Sequence, residues 1–296
     1  MTEGNSKIYK LKNITDLCSN NGLKNLEFRL TEIKSLMRFW WRALNFYNKC
    51  DDMREEENKI FGNSETHKSP IIFKLKNEDF TKAKKGHVVG KNLSIVCFES
   101  GGNAKIQLNL CKRQLNEKQY TNKEFNFYDI LLKLSLILGG VGNRSRRGCG
   151  VFKFEENNKE YNLRNQIKNY MENLNISKYY EFFKEDDKYF KIFRKEEYKN
   201  KGFEYPYVEE ILIGKETINE EEFYFRIRYG IYATRNEKLQ YKEYTCKKLA
   251  CPIYVTCYGD SNELYPIIVK LHNTNPHETY DNYYKKFKEV ILCSKE

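Results

Sequence analysis

The chain has 296 residues, 40% of them hydrophobic and 15% aromatic, which excludes a single small module and a disordered chain and suits one large domain or two medium ones. Its formal net charge of +11 is segregated: residues 1–155 hold 28 Lys/Arg against 17 Asp/Glu, whereas residues 156–296 hold 24 of each. Solubility alone does not require such segregation, so the N-terminal half is expected to meet a polyanion.

Residues 8–15 alternate well enough for a first strand, broken by the polar Ser19-Asn20-Asn21-Gly22. Over 32–48 the apolar residues Ile33, Met37, Trp40, Leu44 and Tyr47 recur with helical period. An acidic run, 51–57, leads to Ile60-Phe61-Gly62 and a strand over 70–75. Residues 82–91 read as a basic loop, and strands follow at 93–98 and 105–111. The strongly apolar 128–138 (YDILLKLSLIL) predicts a buried helix stopped by Gly139-Gly140, with a strand at 151–154. Strand, helix, strand, strand, helix, strand is the ferredoxin-like order, with two helices on one face of an antiparallel sheet.

In the second half, 163–183 and 281–292 read as helices and 208–213, 223–232, 252–258 and 265–271 as strands. The expectation is therefore an α+β protein of two ferredoxin-like (RRM-like) domains packed together, residues 1–158 and 159–296, divided at the polar stretch after Phe154.

The segment from Gly139 to Gly150 (GGVGNRSRRGCG) holds five glycines and three arginines. Glycines let a backbone turn sharply and come close to another chain, and arginines fit phosphate oxygens and stack on bases. Because it follows a helix and precedes a strand, it is neither a dinucleotide fingerprint nor a Walker A loop, which need the opposite order. It reads as an RNA clamp carried by Gly139, Gly140, Gly142, Arg144, Arg146, Arg147, Gly148 and Gly150; a tight turn with solvated arginines is the bland alternative. In the first helix Trp40 falls on the apolar face and Trp41 borders a basic one, Lys34-Arg38-Arg42 at i, i+4, i+8. Like charges stacked in this way cost stability, which predicts a partner that offsets them.

IKSLMRFWWRAL with IFGNSE and, later, LGGVGNRSRRGCG resembles the RAMP-superfamily proteins of type III-B CRISPR effectors, specifically subunit one of the Cmr complex. Lys248-Leu249-Ala250-Cys251-Pro252-Ile253 is similar to an Arg-Leu-Ala-Ser-Pro segment of that family's second half. The resemblance implies a subunit that helps hold guide (CRISPR) RNA and target RNA near the 3′ part of the guide, among other Cmr subunits, without cutting. Its motifs carry RNA contact over to Arg38, Trp40, Trp41, Arg42 and the loop residues above. The chain departs from the pattern at Ile14-Thr15-Asp16-Leu17-Cys18, which lacks Thr-Pro and the following glycines. It departs again at Cys149, which stands in place of an aromatic, and at Lys248 and Cys251.

The opening Met1-Thr2-Glu3-Gly4 is polar and acidic and no apolar run reaches membrane-spanning length, so the expected location is cytoplasmic, with nine reduced cysteines. Cys246, Cys251, Cys257, His272 and His277 lack CxxC spacing, so no metal or other cofactor is expected. Neither His67 nor His87, in polar loops of the basic half, belongs to a recognisable catalytic constellation. A repeat-processing RAMP endoribonuclease is the enzyme alternative, and an interaction scaffold without RNA is the third.

Overall fold

The computed structural model describes residues 6–23, 25–66, 68–85, 95–111, 122–155, 162–200, 202–234, 252–260, 262–272 and 278–292. In the N-terminal half β1 (Ser6–Asn13), α1 (Leu30–Leu44), β2 (Ile71–Asp79), β5 (Asn103–Leu110), α3 (Asn122–Leu138) and β6 (Phe152–Phe154) follow the ferredoxin-like order. The sheet runs β2-β5-β1-β6 with every neighbouring pair antiparallel. Two elements depart from expectation. Lys82–Lys85 form a strand, β3, paired with β4 (Ile95–Phe98), while 86–91 lie outside the described residues. The acidic run is the start of a helix, α2 (Cys50–Phe61), whose Asp51 and Asp52 suit a helix N-terminus. Its buried stripe is Met53, Glu57 and Phe61, and a carboxylate in mid-stripe hid the period from the sequence.

In the C-terminal half α4 (Leu163–Asn173) stops ten residues earlier than the expected helix; Asn175, with φ 57°, turns the chain toward β7 (Tyr180–Glu185), which pairs with β8 (Tyr189–Arg194). The expected strand at 223–232 is instead a helix, α5 (Glu220–Ala233). Asn219 caps it by accepting from the Glu222 N–H, and three glutamates fill its first turn. Its aromatic content suggested a strand, but the buried Phe223, Ile227 and Gly230 have helical spacing. With β9 (Val208–Gly214), β10 (Ile253–Asp260), β11 (Glu263–Leu271) and α6 (Glu278–Leu292), the second sheet runs β10-β11-β9-β8-β7. The segment β9-α5-β10-β11-α6 repeats the ferredoxin-like order, and β8 enters from the N-terminal side into the place of the fourth strand.

The layers stack as sheet, helices, sheet, helices. One core joins Leu11 and Ile106 of the first sheet, Trp40 and Leu134 of α1 and α3, and Ile211, Tyr254 and Val269 of the second sheet. The far side of the second sheet packs Leu212, Val255 and Ile268 on Phe223, Phe287 and Ile291 of α5 and α6. Helix α3 is thus enclosed between two sheets, which is why it is apolar nearly all round. Among the described residues no helix is long and apolar enough to cross a membrane.

Two buried polar clusters tie the layers. Arg194, 1% exposed, donates to the carbonyls of Ala43, Leu44 and Asn45 at the end of α1, to Val208 O, and to the Tyr180 hydroxyl, which itself donates to Leu44 O. On α3, Asp129 accepts from Tyr9 Oη at 2.6 Å and Lys7 Nζ at 3.0 Å and pairs with Lys133 at 3.3 Å. Burial opposes its charge, but the Tyr9 hydroxyl, Lys133 and Lys7 outweigh it and hold the carboxyl below its ordinary range. A depressed folded-state pKa means stability that is full above the unfolded value, about 4, and is lost as pH falls through the folded value. Asp129→Asn is therefore expected to cost about 1–3 kcal/mol at pH 7, a gap that closes below about pH 4. Urea melts of both proteins between pH 3 and 8 check it, and a pH-independent gap would contradict it.

Candidate nucleic-acid interface

Helix α3 runs into β6 through the Gly139–Gly150 loop, whose backbone is held on three sides by protein. Val141 N donates to Gly150 O at 2.8 Å, Gly150 N to Asp16 O at 2.9 Å and Asn143 N to Cys18 O at 2.7 Å. On the other side Val255 N, on the edge strand β10, donates to Arg146 O at 3.2 Å. The loop therefore bridges the N-terminal half to the second sheet and covers its open edge.

This fastening explains the glycines. A Cβ on Gly140 would stand 1.9 Å from Cys149 O, and one on Gly150 would stand 1.9 Å from Val141 O, so two strands of the loop touch backbone to backbone. Gly139 lies against the Trp40 indole, Gly142 against Cys18 O, and Gly148 against the Phe223 ring. Gly139, Gly140, Gly148 and Gly150 are buried, so the close approach inferred from them is an approach to the protein's own chain. Asn143 is exposed and Arg144, Ser145, Arg146 and Arg147 are half-buried, making the loop's outer side cationic. Arg144 takes a left-handed backbone, φ 63°, uncommon for a non-glycine residue, and its carbonyl accepts from Arg147 N at 2.8 Å. The Arg146 guanidinium lies 4.9 Å from the centre of the Tyr254 ring. Among the described residues, Arg144 and Arg147 make no ion pair or side-chain hydrogen bond.

The tryptophan helix supports this loop from beneath. Trp40 is fully buried, edge-to-face with Phe39 and Tyr254, and Trp41 is 5% exposed, packed on Tyr47 and Phe61. The helical period places Trp40 in the core, as found, whereas the RNA contact that the resemblance implies for Trp40 and Trp41 meets two enclosed rings. The basic face also has a different partner from the expected external one. Glu57 Oε1, buried on α2, accepts from Arg38 Nε at 2.7 Å and Arg42 Nη1 at 2.6 Å, and Lys34 Nζ donates to Ser69 Oγ. Burial, then the Arg38 charge, lowers the Lys34 ammonium below its usual range. One carboxylate on α2, Glu57, thus pairs with both Arg38 and Arg42, while Lys34 meets only a neutral hydroxyl, so the face is offset in part from within the chain.

Cys149 sits in a buried cluster with Cys18, Cys97 and Tyr224. Hydrogen bonding with Cys149, then burial, raises the Cys18 thiol well above its ordinary range, so it is a packed, protonated group. The aromatic expected at 149 would not fit between these thiols without displacing them. Of the histidines, His272 bonds Glu209 at 3.1 Å and stacks on Tyr207, while His67, His87 and His277 lie outside the described residues, as do Lys248, Leu249, Ala250, Cys246 and Cys251. Among the described residues no group of three or more His, Cys, Asp or Glu could hold a metal ion.

A family model described as the RAMP superfamily matches residues 13–153, which take in the tryptophan helix, β2, β5, α3 and the loop but only the last residue of β1. The CRISPR system Cmr subunit Cmr1-2 of Pyrococcus furiosus is 28% identical over 180 residues, covering 50% of this chain and 94% of that protein. The crystal structure of Cmr1 from Pyrococcus furiosus in its apo form superposes with TM-score 0.61 at 15% identity, over 97% of this chain and 95% of that one. A chain of the type III-B Cmr-beta assembly, bound to cognate target RNA and AMPPnP in the presence of ssDNA, gives TM-score 0.55 at 13% identity, over 96% and 98%.

Proposed function

We propose that this chain, whose residues 13–153 match the RAMP-superfamily model and whose fold resembles that of Cmr1, is a non-catalytic RNA-binding subunit of a type III-B CRISPR (Cmr) effector complex. In this reading it holds guide RNA, target RNA or both beside other Cmr subunits, with residues 1–158 as the RNA-binding domain and 159–296 as the second. The observation that carries it is the loop's division of labour. Its glycines fasten a rigid backbone to three parts of the protein, and this fixed frame presents Asn143, Arg144, Ser145 and Arg147 at the seam of the two halves. A preformed cationic edge binds phosphate without the cost of ordering a mobile loop.

The test is Arg144→Ala with Arg147→Ala, leaving Arg146 on Tyr254. Affinity for a labelled single-stranded RNA, read by anisotropy, is expected to fall about 10- to 100-fold, since hydrogen bonds to charged groups are worth about 1.5–3 kcal/mol. Unfolding stability should stay within about 0.5 kcal/mol, as for surface substitutions away from the core. Unchanged affinity, or a large loss of stability, would mean that the arginines are part of the fold rather than of a contact. Cleavage of a repeat or target RNA by the isolated chain would overturn the non-catalytic part of the reading.

A further inference from the structure

We propose that the outer face of the first sheet is a second, sequence-independent contact for the backbone of single-stranded RNA, leading toward the loop. The proposal rests on the RNA-binding reading above and accounts for charge that the loop does not absorb. In the four-layer stack this face is an outermost surface, because both helices of the first sheet lie on its other side. Along β1 the side chains of Tyr9 and Leu11 turn into the core, while Ile8, Lys10 and Lys12 turn outward. The register then builds a patch: Lys10 stands between Lys105 and Glu155, Lys12 opposite Lys153, Gln107 between Ile8 and Lys74, and Asp79 opposite Asn103 at its margin, so the lysines outnumber the carboxylates. Lys153 pairs with Asp260 of the second half, but among the described residues Lys10, Lys12, Lys74 and Lys105 make no ion pair.

Like charges directly opposed across strands oppose folding, so a patch of this kind is stabilised when a polyanion occupies it. Lys10 and Lys12 are two residues apart on one strand, roughly 6.6 Å, a spacing that suits successive phosphates of an extended strand. No aromatic side chain of the described residues turns outward here, so the face has nothing to stack on bases and reads no sequence. Lysine is depleted in protein–protein interfaces, and the exposed Ile8 and Ile72 are isolated aliphatics on a polar face whose lysines outnumber Asp79 and Glu155, which favours phosphate over a protein surface. The path is continuous with the loop: β1 ends at Asn13, and the next residue, Ile14, donates its N–H to Val151 O where the loop enters β6.

The experiment measures binding of a labelled 30-residue oligouridylate to the full chain from low to high salt. The variants are Lys10→Gln, Lys12→Gln, Lys74→Gln and Lys105→Gln combined, and the same four positions changed to Arg. The slope of log affinity against log salt should become shallower by roughly 2–3 units in the Gln variant, at about 0.7 per single-strand phosphate contact, and stay unchanged in the Arg variant. The Gln variant should melt close to the unaltered chain, since it removes both the like-charge opposition of Lys10 with Lys105 and the opposite-charge one of Lys10 with Glu155. An unchanged slope in the Gln variant, while Arg144→Ala with Arg147→Ala still weakens binding, overturns this proposal and leaves the loop reading intact. No oligouridylate binding by the unaltered chain fails the loop reading first. A retained slope with loss of co-purifying acidic subunits assigns the face to protein and also overturns the proposal.

Discussion

Trp40→Ala is expected to cost roughly 3–5 kcal/mol of stability, seen as a lower urea midpoint with an unchanged slope. The indole has no exposed surface and lies where α1, the end of α3 and β10 meet, against Phe39, Tyr254 and Gly139. Truncating it opens a cavity between two sheets, where neither can collapse without disturbing the other, so the upper part of the range applies. Because Gly139 rests on this ring and begins the loop, RNA affinity should fall only as far as the folded fraction falls. A loss of affinity at unchanged stability would show that the ring meets RNA in the bound state, contrary to its enclosure here.

Arg194→Ala is expected to be as damaging, about 3–5 kcal/mol, for a different reason. One guanidinium satisfies the carbonyls of Ala43, Leu44 and Asn45, which a helix end otherwise leaves without donors, and Val208 O as well. A positive charge at a helix C-terminus is favourable in itself, and the rings of Tyr180 and Tyr207, 5.0 and 4.8 Å from the guanidinium carbon, flank it. Removing it strands buried acceptors at the joint between α1 and the second sheet. Arg194→Lys should recover only part of the loss, since an ammonium cannot span the same fork of acceptors. Hydrogen exchange adds a local readout: amides of the last turn of α1 should exchange faster in the Ala variant than in a surface control. A cost below about 1 kcal/mol would mean that water replaces the arginine at no penalty.

What was legible in the sequence followed period and punctuation. The first sheet and its two helices were readable because alternation in β1 and the 3.6 period of α1 each describe one buried face, and Gly139-Gly140 marked where α3 stops. Errors arose where a local signal was overruled from elsewhere. Glu57 broke the stripe of α2 because it serves Arg38 and Arg42 rather than solvent. Phe, Tyr and Ile in 223–232 suggest a strand, but the Asn219 cap and acidic first turn specify a helix. The four-residue β3 carried too little pattern to separate from a loop.

By itself the sequence determined that the N-terminal half is basic, that its plan is ferredoxin-like and that the Gly139–Gly150 loop is a built feature, because charge, hydrophobic period and glycine spacing are local properties. Only the tertiary structure decided which of those residues are available to a partner. Whether a tryptophan is core or contact, and whether Arg38 and Arg42 find a carboxylate within the chain, depends on α2 and β10, elements distant in sequence whose contact is set by packing. The same packing encloses the loop glycines and leaves Arg144 and Arg147 at the seam, since a side chain's neighbours across a core are not written in its own segment.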